Sequence, residues 1–159
     1  MNEDQQKSLR THVLDLLTGG NAHISPEKVL PDFPEKLRGV KVAKFPHTAW
    51  QLLEHLRIAQ WDILEYTRDP KHKSPAWPSG YWPKSGEPPD RHAWKNSVDQ
   101  FFADLKAIEQ IVASPDADLL AKIPHGDGHT ILREALVLAD HNSYHLGQME
   151  AVRKALEGE

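Results

Sequence analysis

Residues 94–112 read WKNSVDQFFADLKAIEQIV and carry the clearest apolar stripe of the chain. Its large apolar residues recur every three or four positions, at Trp94, Val98, Phe101, Phe102, Leu105, Ile108 and Val112. Because an α-helix has about 3.6 residues per turn, this spacing places them on one face of a helix. The stretch therefore predicts an amphipathic helix whose apolar face must be covered by other helices.

The twelve prolines of the chain indicate where further helices can run. They leave four long proline-free windows, which are residues 1–25, 47–69, 90–114 and 125–159. A proline inside a helix removes a hydrogen bond and costs about 3 kcal/mol or more, so we expect the helices in these windows. Each window has helical periodicity, and the pair Gly19-Gly20 is expected to end the first helix. No segment shows the alternation of apolar and polar residues that is typical of a β-strand.

Four amphipathic helices predict an all-α fold, a four-helix bundle in a single domain over residues 1–159. The first two connections have about 20 residues or more, whereas about 2 to 8 are usual between neighbouring helices of a bundle. We therefore expect long crossover connections, or a connection that covers one end. Within residues 70–89, the aromatic residues Trp77, Tyr81 and Trp82 are expected to pack on the bundle, with lining of a pocket as the alternative.

The composition argues against several classes of function. Nineteen basic and 23 acidic residues give a net charge of −4 without long blocks of one sign, which speaks against a nucleic-acid partner. Without cysteine the chain has no disulfide, no thiolate metal site and no cysteine nucleophile. No stretch reaches the roughly 18 apolar residues of a membrane span, and residues 1–10 lack the apolar core of a signal peptide. We expect a cytoplasmic protein without a membrane partner.

Two histidines in the fourth window occupy positions that the apolar stripe would give to the core. His141 and His145 continue the spacing from Leu138, and residues four apart project from the same face of a helix. His55 borders the apolar face of the second predicted helix and is a third candidate. Three imidazoles inside a bundle would hold a divalent metal ion and leave a position open for water or substrate. The alternative is an inert pair, because ten histidines place some of them four apart by chance.

Other polar residues are weaker candidates for function. The candidate catalytic residues are His47 and Glu54 as general bases and Gln148 as a contact to a ligand or substrate. Asp140 either orients an imidazole or is solvated. Asp127 or Thr130 is expected to cap the fourth helix. The histidines treated as surface residues are His12, His23, His72 and His92.

Two motifs of the chain resemble those of the DinB-like superfamily of bacterial proteins. Residues 47–55 read HTAWQLLEH, and residues 140–148 read DHNSYHLGQ. The resemblance extends from Leu9 to Leu156 and includes the order of the helices. It implies a four-helix bundle with a crossover, a divalent metal ion held by His55, His141 and His145, and a homodimer.

The resemblance also implies an enzyme. Some relatives resemble transferases that use low-molecular-weight thiols such as bacillithiol or mycothiol, and others are related to metal-dependent isomerases or hydrolases. We therefore expect a metalloenzyme for a small-molecule substrate, in which Zn or Ni, or else Fe, Cu or Mn, activates an external thiol or water. The alternative is a non-catalytic bundle that binds a metal or a small ligand and dimerises.

Overall fold

The computed structural model describes residues 1–158, and within them the chain is helical. The helices are α1 (Glu3–Thr18), α2 (Pro26–Val29), α3 (Ala49–Arg68), α4 (Ala93–Ala113) and α5 (Ile131–Glu157), with single 3-10 turns at Glu35–Leu37 and Ser79–Tyr81. No strand occurs in the described residues, where Lys122 and Thr130 form an isolated bridge. The predicted all-α fold is confirmed, and Glu159, the last residue of the predicted domain, lies outside the described residues.

The long helices begin and end where the sequence supplies capping groups. Asn2 and Thr48 each accept a hydrogen bond from the third backbone N–H of the following helix and form capping boxes with Gln5 and Gln51. Thr130, not Asp127, caps α5 by accepting from the backbone of Arg133.

Glycine ends α1 as predicted. Gly19 has a φ of 76°, a left-handed value that costs a residue with a side chain more than it costs glycine. The following Gly20 also has a positive φ, 81°, so the two glycines together turn the chain away from the helix axis.

The four long helices pack so that consecutive helices do not all lie side by side. Helix α3 packs on α4 and α5, and α1 packs on the same two helices. Consequently α1 and α3 lie at opposite corners of the bundle, and so do α4 and α5. The first connection therefore crosses the bundle, as expected, whereas the long second connection joins the neighbours α3 and α4.

The first connection contributes to the core although it is rich in proline. Val29, Leu30 and Phe33 are fully buried, and the ring of Phe33 packs against Trp94 of α4 at 5.3 Å between centroids. The indole N–H of Trp94 donates to the carbonyl oxygen of Leu30 at 2.9 Å, so the polar atom of this large buried ring has a partner. This connection is thus a structural layer of the bundle.

The second connection is fastened to the start of α3. The hydroxyl of Thr48 donates to the carbonyl oxygen of Gly86 at 2.6 Å. Trp77 is 76% exposed, so the expected packing on the bundle is wrong for this residue. Its neighbours Tyr81 and Trp82 are partly buried and reach the metal-site candidates described below.

The helices of the described residues include none that is long and apolar enough to span a membrane. Charged and polar side chains interrupt each of them within a few turns.

Candidate metal centre

The structure brings together the three histidines that the sequence singled out. His55 of α3 and His141 and His145 of α5 each offer a ring nitrogen, and the three nitrogens lie within 4.8 Å of one another. The ring centroids of His55 and His141 are 4.9 Å apart, and each lies 4.5 Å from that of His145. His55 and His145 are buried, at 4% and 8% exposure. At this separation, the three ring nitrogens are close enough to bind the same metal ion.

A buried amide pair fixes how α3 and α5 face each other at this point. Gln60 is 0% exposed and its Oε1 accepts a hydrogen bond from Nδ2 of Asn142 at 3.0 Å. Its Nε2 donates to the carbonyl oxygen of Phe101 in α4. Because these bonds join three helices in the interior, they set the register that brings His141 and His145 opposite His55.

Hydrogen bonds to oxygen determine the tautomer of two of the three imidazoles. Nδ1 of His55 donates to the carbonyl oxygen of Tyr81 at 2.9 Å, and Nδ1 of His145 donates to Oε1 of Gln148 at 2.7 Å. A neutral imidazole that donates from Nδ1 has its lone pair on Nε2. Both Nε2 atoms are therefore available as metal ligands, and such outer partners are typical of ligand histidines.

His141 completes the cluster from the other side. Its Nε2 lies 3.0 Å from Nε2 of His55, and since the latter is an acceptor, His141 donates this hydrogen bond. Its Nδ1 is buried without a partner. For a cation to bind both Nε2 atoms, the proton between them would move to Nδ1 of His141, and the resulting three neutral nitrogens are a donor set that suits divalent transition metals.

Burial keeps the three imidazoles neutral. It lowers the pKa of His141 to about 3, an effect to which the neighbouring His145 and His55 add. Burial also lowers the pKa of His145 to about 4, although the bond to Gln148 opposes the shift. The pKa of His55 is lowered by burial as well, against the opposing effect of the Tyr81 carbonyl. Neutral histidine is the form that binds metal, so no proton has to be removed at neutral pH.

An indole from the second connection forms one wall of the cluster. The ring of Trp82 is stacked on His55 and on His47, with 3.8 Å between centroids in both cases. Two imidazoles at this distance cannot share one face of the indole, so Trp82 lies between them. Trp82 therefore lines the candidate site, and His47 is separated from the three nitrogens by the thickness of one ring.

Of the other candidate residues, Gln148 lies next to the three histidines, Glu54 is held by other side chains and Asp140 is exposed. Gln148 is the partner of His145 described above, which places it next to the cluster. Both carboxylate oxygens of Glu54 are engaged. They accept a bidentate pair of hydrogen bonds from Arg57, and Oε1 also accepts a hydrogen bond from the hydroxyl of Ser97. Asp140 is exposed, and the partners of the imidazoles are instead Gln148 and the Tyr81 carbonyl.

One histidine expected at the surface is not there. The side chain of His72 is 8% exposed, its Nε2 donates to Asp62 at 2.7 Å, and its ring packs edge-on against Trp61. The role of Asp62 was not predicted from the sequence, and Tyr81 was predicted only to pack on the bundle or to line a pocket. A signal existed for Asp62, since it follows His55 by seven residues and lies on the same, mostly apolar, face of α3.

The chain matches the model of the DinB superfamily over residues 4–149, a range that includes the three clustered histidines. The resemblance drawn from the two sequence motifs is thereby confirmed. No curated protein and no solved structure matches the chain.

Proposed function

We propose that this chain, which belongs to the DinB superfamily, holds a divalent transition metal ion on His55, His141 and His145 and is a metal-dependent enzyme. The observation that carries the proposal is the convergence of three imidazoles, two buried and one partly buried, whose ring nitrogens lie within 4.8 Å of one another. Burying imidazoles is unfavourable unless their nitrogens have partners, and one ion would bind one nitrogen of each ring. Zn or Ni is the favoured metal, followed by Fe, Cu or Mn.

A bound ion of this kind would lower the pKa of a water molecule or a thiol toward neutrality and so supply a nucleophile. The residues of the chain contribute the positioning. The Tyr81 carbonyl and Gln148 orient two of the imidazoles, and Trp82 covers His55 and limits the access of water from one side.

The nucleophile must come from outside the chain if the reaction uses sulfur, because the sequence contains no cysteine. We propose a low-molecular-weight thiol as the cosubstrate of a transfer reaction, with hydrolysis by water as the second route. For hydrolysis, neither candidate general base is free to act in this arrangement. Trp82 lies between the ring of His47 and His55, and the carboxylate of Glu54 is held by Arg57 and Ser97.

A second, non-catalytic function is favoured by apolar side chains on the outside of the bundle. Leu16 of α1 and Leu136 of α5 are 51% and 42% exposed and line the same groove, and Val137 is 38% exposed. An exposed apolar surface of this kind suits a second copy of the chain. We propose a homodimer that uses this groove, and sedimentation of Leu16→Glu beside the unchanged protein tests it. A monomer in both samples would exclude the dimer.

The enzymatic proposal is tested by turnover. Zinc-loaded and chelator-treated protein would be incubated with low-molecular-weight thiols plus electrophiles, and separately with esters, amides and phosphoesters. We expect turnover of a member of the panel that requires the metal and is lost in His145→Ala. No turnover by the metal-loaded protein across the panel would favour the non-catalytic function.

A further inference from the structure

The connection between α3 and α4 holds a partly buried hydrogen-bond chain that ends on the candidate ligand His55. We propose that Asp62 is a positioning residue for the metal centre: it anchors Tyr81, whose carbonyl oxygen holds the ring of His55 in place. This inference rests on the proposed metal binding at His55, His141 and His145, and it assigns a role to residues that contact no metal.

The spacing of the two α3 residues matches the reach of one tyrosine. Asp62 follows His55 by seven residues, so both project from the same face of α3 about two turns, or roughly 10 Å, apart. Tyr81 bridges this distance from the neighbouring connection. Its hydroxyl donates to Oδ2 of Asp62 at 2.6 Å, and its backbone carbonyl accepts from Nδ1 of His55 at 2.9 Å. One residue is thereby attached to the helix at two points.

The carboxylate of Asp62 is fully engaged in holding the connection. While Oδ2 accepts from Tyr81, Oδ1 accepts from Nε2 of His72 at 2.7 Å. Asp62 is 9% exposed and the side chain of His72 is 8% exposed, so both bonds are largely shielded from water. A hydrogen bond to a charged group that is shielded from water is stronger than an exposed one. Asp62 therefore ties two separate points of the connection, residues 72 and 81, to one turn of α3.

The protonation state of Tyr81 agrees with this arrangement. Burial and the neighbouring Asp62 raise the pKa of Tyr81 to about 12, so the hydroxyl keeps the proton that it donates. The residue after Tyr81 is Trp82, whose indole stacks on His55. The anchor at Asp62 thus locates both contacts that the connection makes to the ligand, the hydrogen bond to Nδ1 and the stacked ring.

Tyr81→Phe tests the proposal because it removes the hydroxyl and keeps the backbone carbonyl and the aromatic ring. The matched control is Tyr66→Phe in α3, which also removes a tyrosine hydroxyl. This hydroxyl accepts a hydrogen bond from the backbone N–H of Asp127 at 2.8 Å. Asp62→Asn is the second variant and decides the question if Tyr81→Phe does not fold.

Two readouts separate positioning from loss of stability. The tautomer of His55 is read from its ring nitrogen shifts by NMR in the presence of EDTA, and zinc affinity is measured by competition with a chromophoric chelator. In Tyr81→Phe we expect His55 to lose its predominant Nδ1–H form and zinc affinity to fall about tenfold, at the low end of the effect of removing an outer partner. Tyr66→Phe is expected to change neither. An unchanged tautomer together with a zinc affinity within about twofold of the unchanged protein would overturn the proposal.

Zinc binding by the unchanged protein and the tautomer of His55 in EDTA test the metal site and the positioning role separately. If the unchanged protein bound no zinc, the proposed metal site would be wrong, and the tautomer of His55 in EDTA would still decide the role of Asp62. If the unchanged protein bound zinc and Tyr81→Phe bound it equally well with the same tautomer, the metal site would stand and the positioning role would be rejected.

Discussion

Gln60→Met is expected to destabilise the bundle because it breaks the buried amide network beside the metal-site candidates. Methionine has nearly the same length, but it can neither donate to the carbonyl of Phe101 nor accept from Asn142. The Oδ1 atom of Asn142 is already buried without a partner, so the substitution leaves this amide with no hydrogen bond. An unpaired buried amide costs about 1 to 3 kcal/mol and the lost bond to Phe101 about 0.5 to 1.5 kcal/mol, which together predict a loss of about 1.5 to 4.5 kcal/mol.

The loss is measured by urea unfolding followed by circular dichroism, in EDTA so that bound metal does not add stability. Gln110→Met, on the exposed face of α4, is the control and should change the free energy of unfolding by less than about 0.5 kcal/mol. Adding Asn142→Leu removes the stranded amide, so the double variant should be more stable than the two single losses predict, by about 1 kcal/mol or more. A loss below about 0.5 kcal/mol for Gln60→Met, or strict additivity in the double variant, would show that the amide network does not stabilise the bundle.

Three further predictions concern the candidate site. The pKa values of about 3 for His141 and about 4 for His145 lie below that of an unfolded histidine, about 6.5, so the unfolded chain takes up protons first as the pH falls. Stability in EDTA should therefore be full above about pH 6.5 and decline toward pH 4 by up to roughly 1.4 kcal/mol per pH unit for each histidine. Urea midpoints at several pH values check this, and replacing both histidines by glutamine should flatten the profile. Glu54→Gln should lower the free energy of unfolding by about 1 to 3 kcal/mol, because Arg57 loses its charged partner, while zinc affinity in a chelator competition stays within about twofold. Gln148→Leu should weaken zinc binding by about 10- to 100-fold in the same titration, and an unchanged affinity would show that the bond to His145 is dispensable.

Much of the bundle follows from residue types and their spacing. The proline-free windows predict the four long helices because proline is excluded from helix interiors, and Gly19 and Thr130 mark a helix end and a helix start through local hydrogen bonds. Local rules do not predict which helices are neighbours. The diagonal placement of α1 and α3 depends on how the core residues of all four helices fit together.

In the candidate site, too, local spacing predicts some residues and not others. His141 and His145 are predictable because both lie on one face of one helix, and His55 because it borders an apolar face. The contact of Asp62 was not predicted, and the surface position predicted for His72 is wrong, because their contacts depend on the path of a connection that has little regular structure. The position of a polar residue on an apolar helix face, as for Asp62, is the feature of the sequence that would have indicated a buried hydrogen-bond partner.

A zinc titration of tag-free protein shows whether the three histidines form one metal site. Zinc content after dialysis and affinity by chelator competition would be measured for the unchanged chain, for His55→Ala and His145→Ala, and for His125→Ala, an exposed histidine outside the cluster. We expect one tightly bound ion per chain, lost in both cluster variants and retained in His125→Ala. Less than about a tenth of an equivalent in the unchanged chain, or full binding by His145→Ala, would contradict a metal site formed by the three histidines.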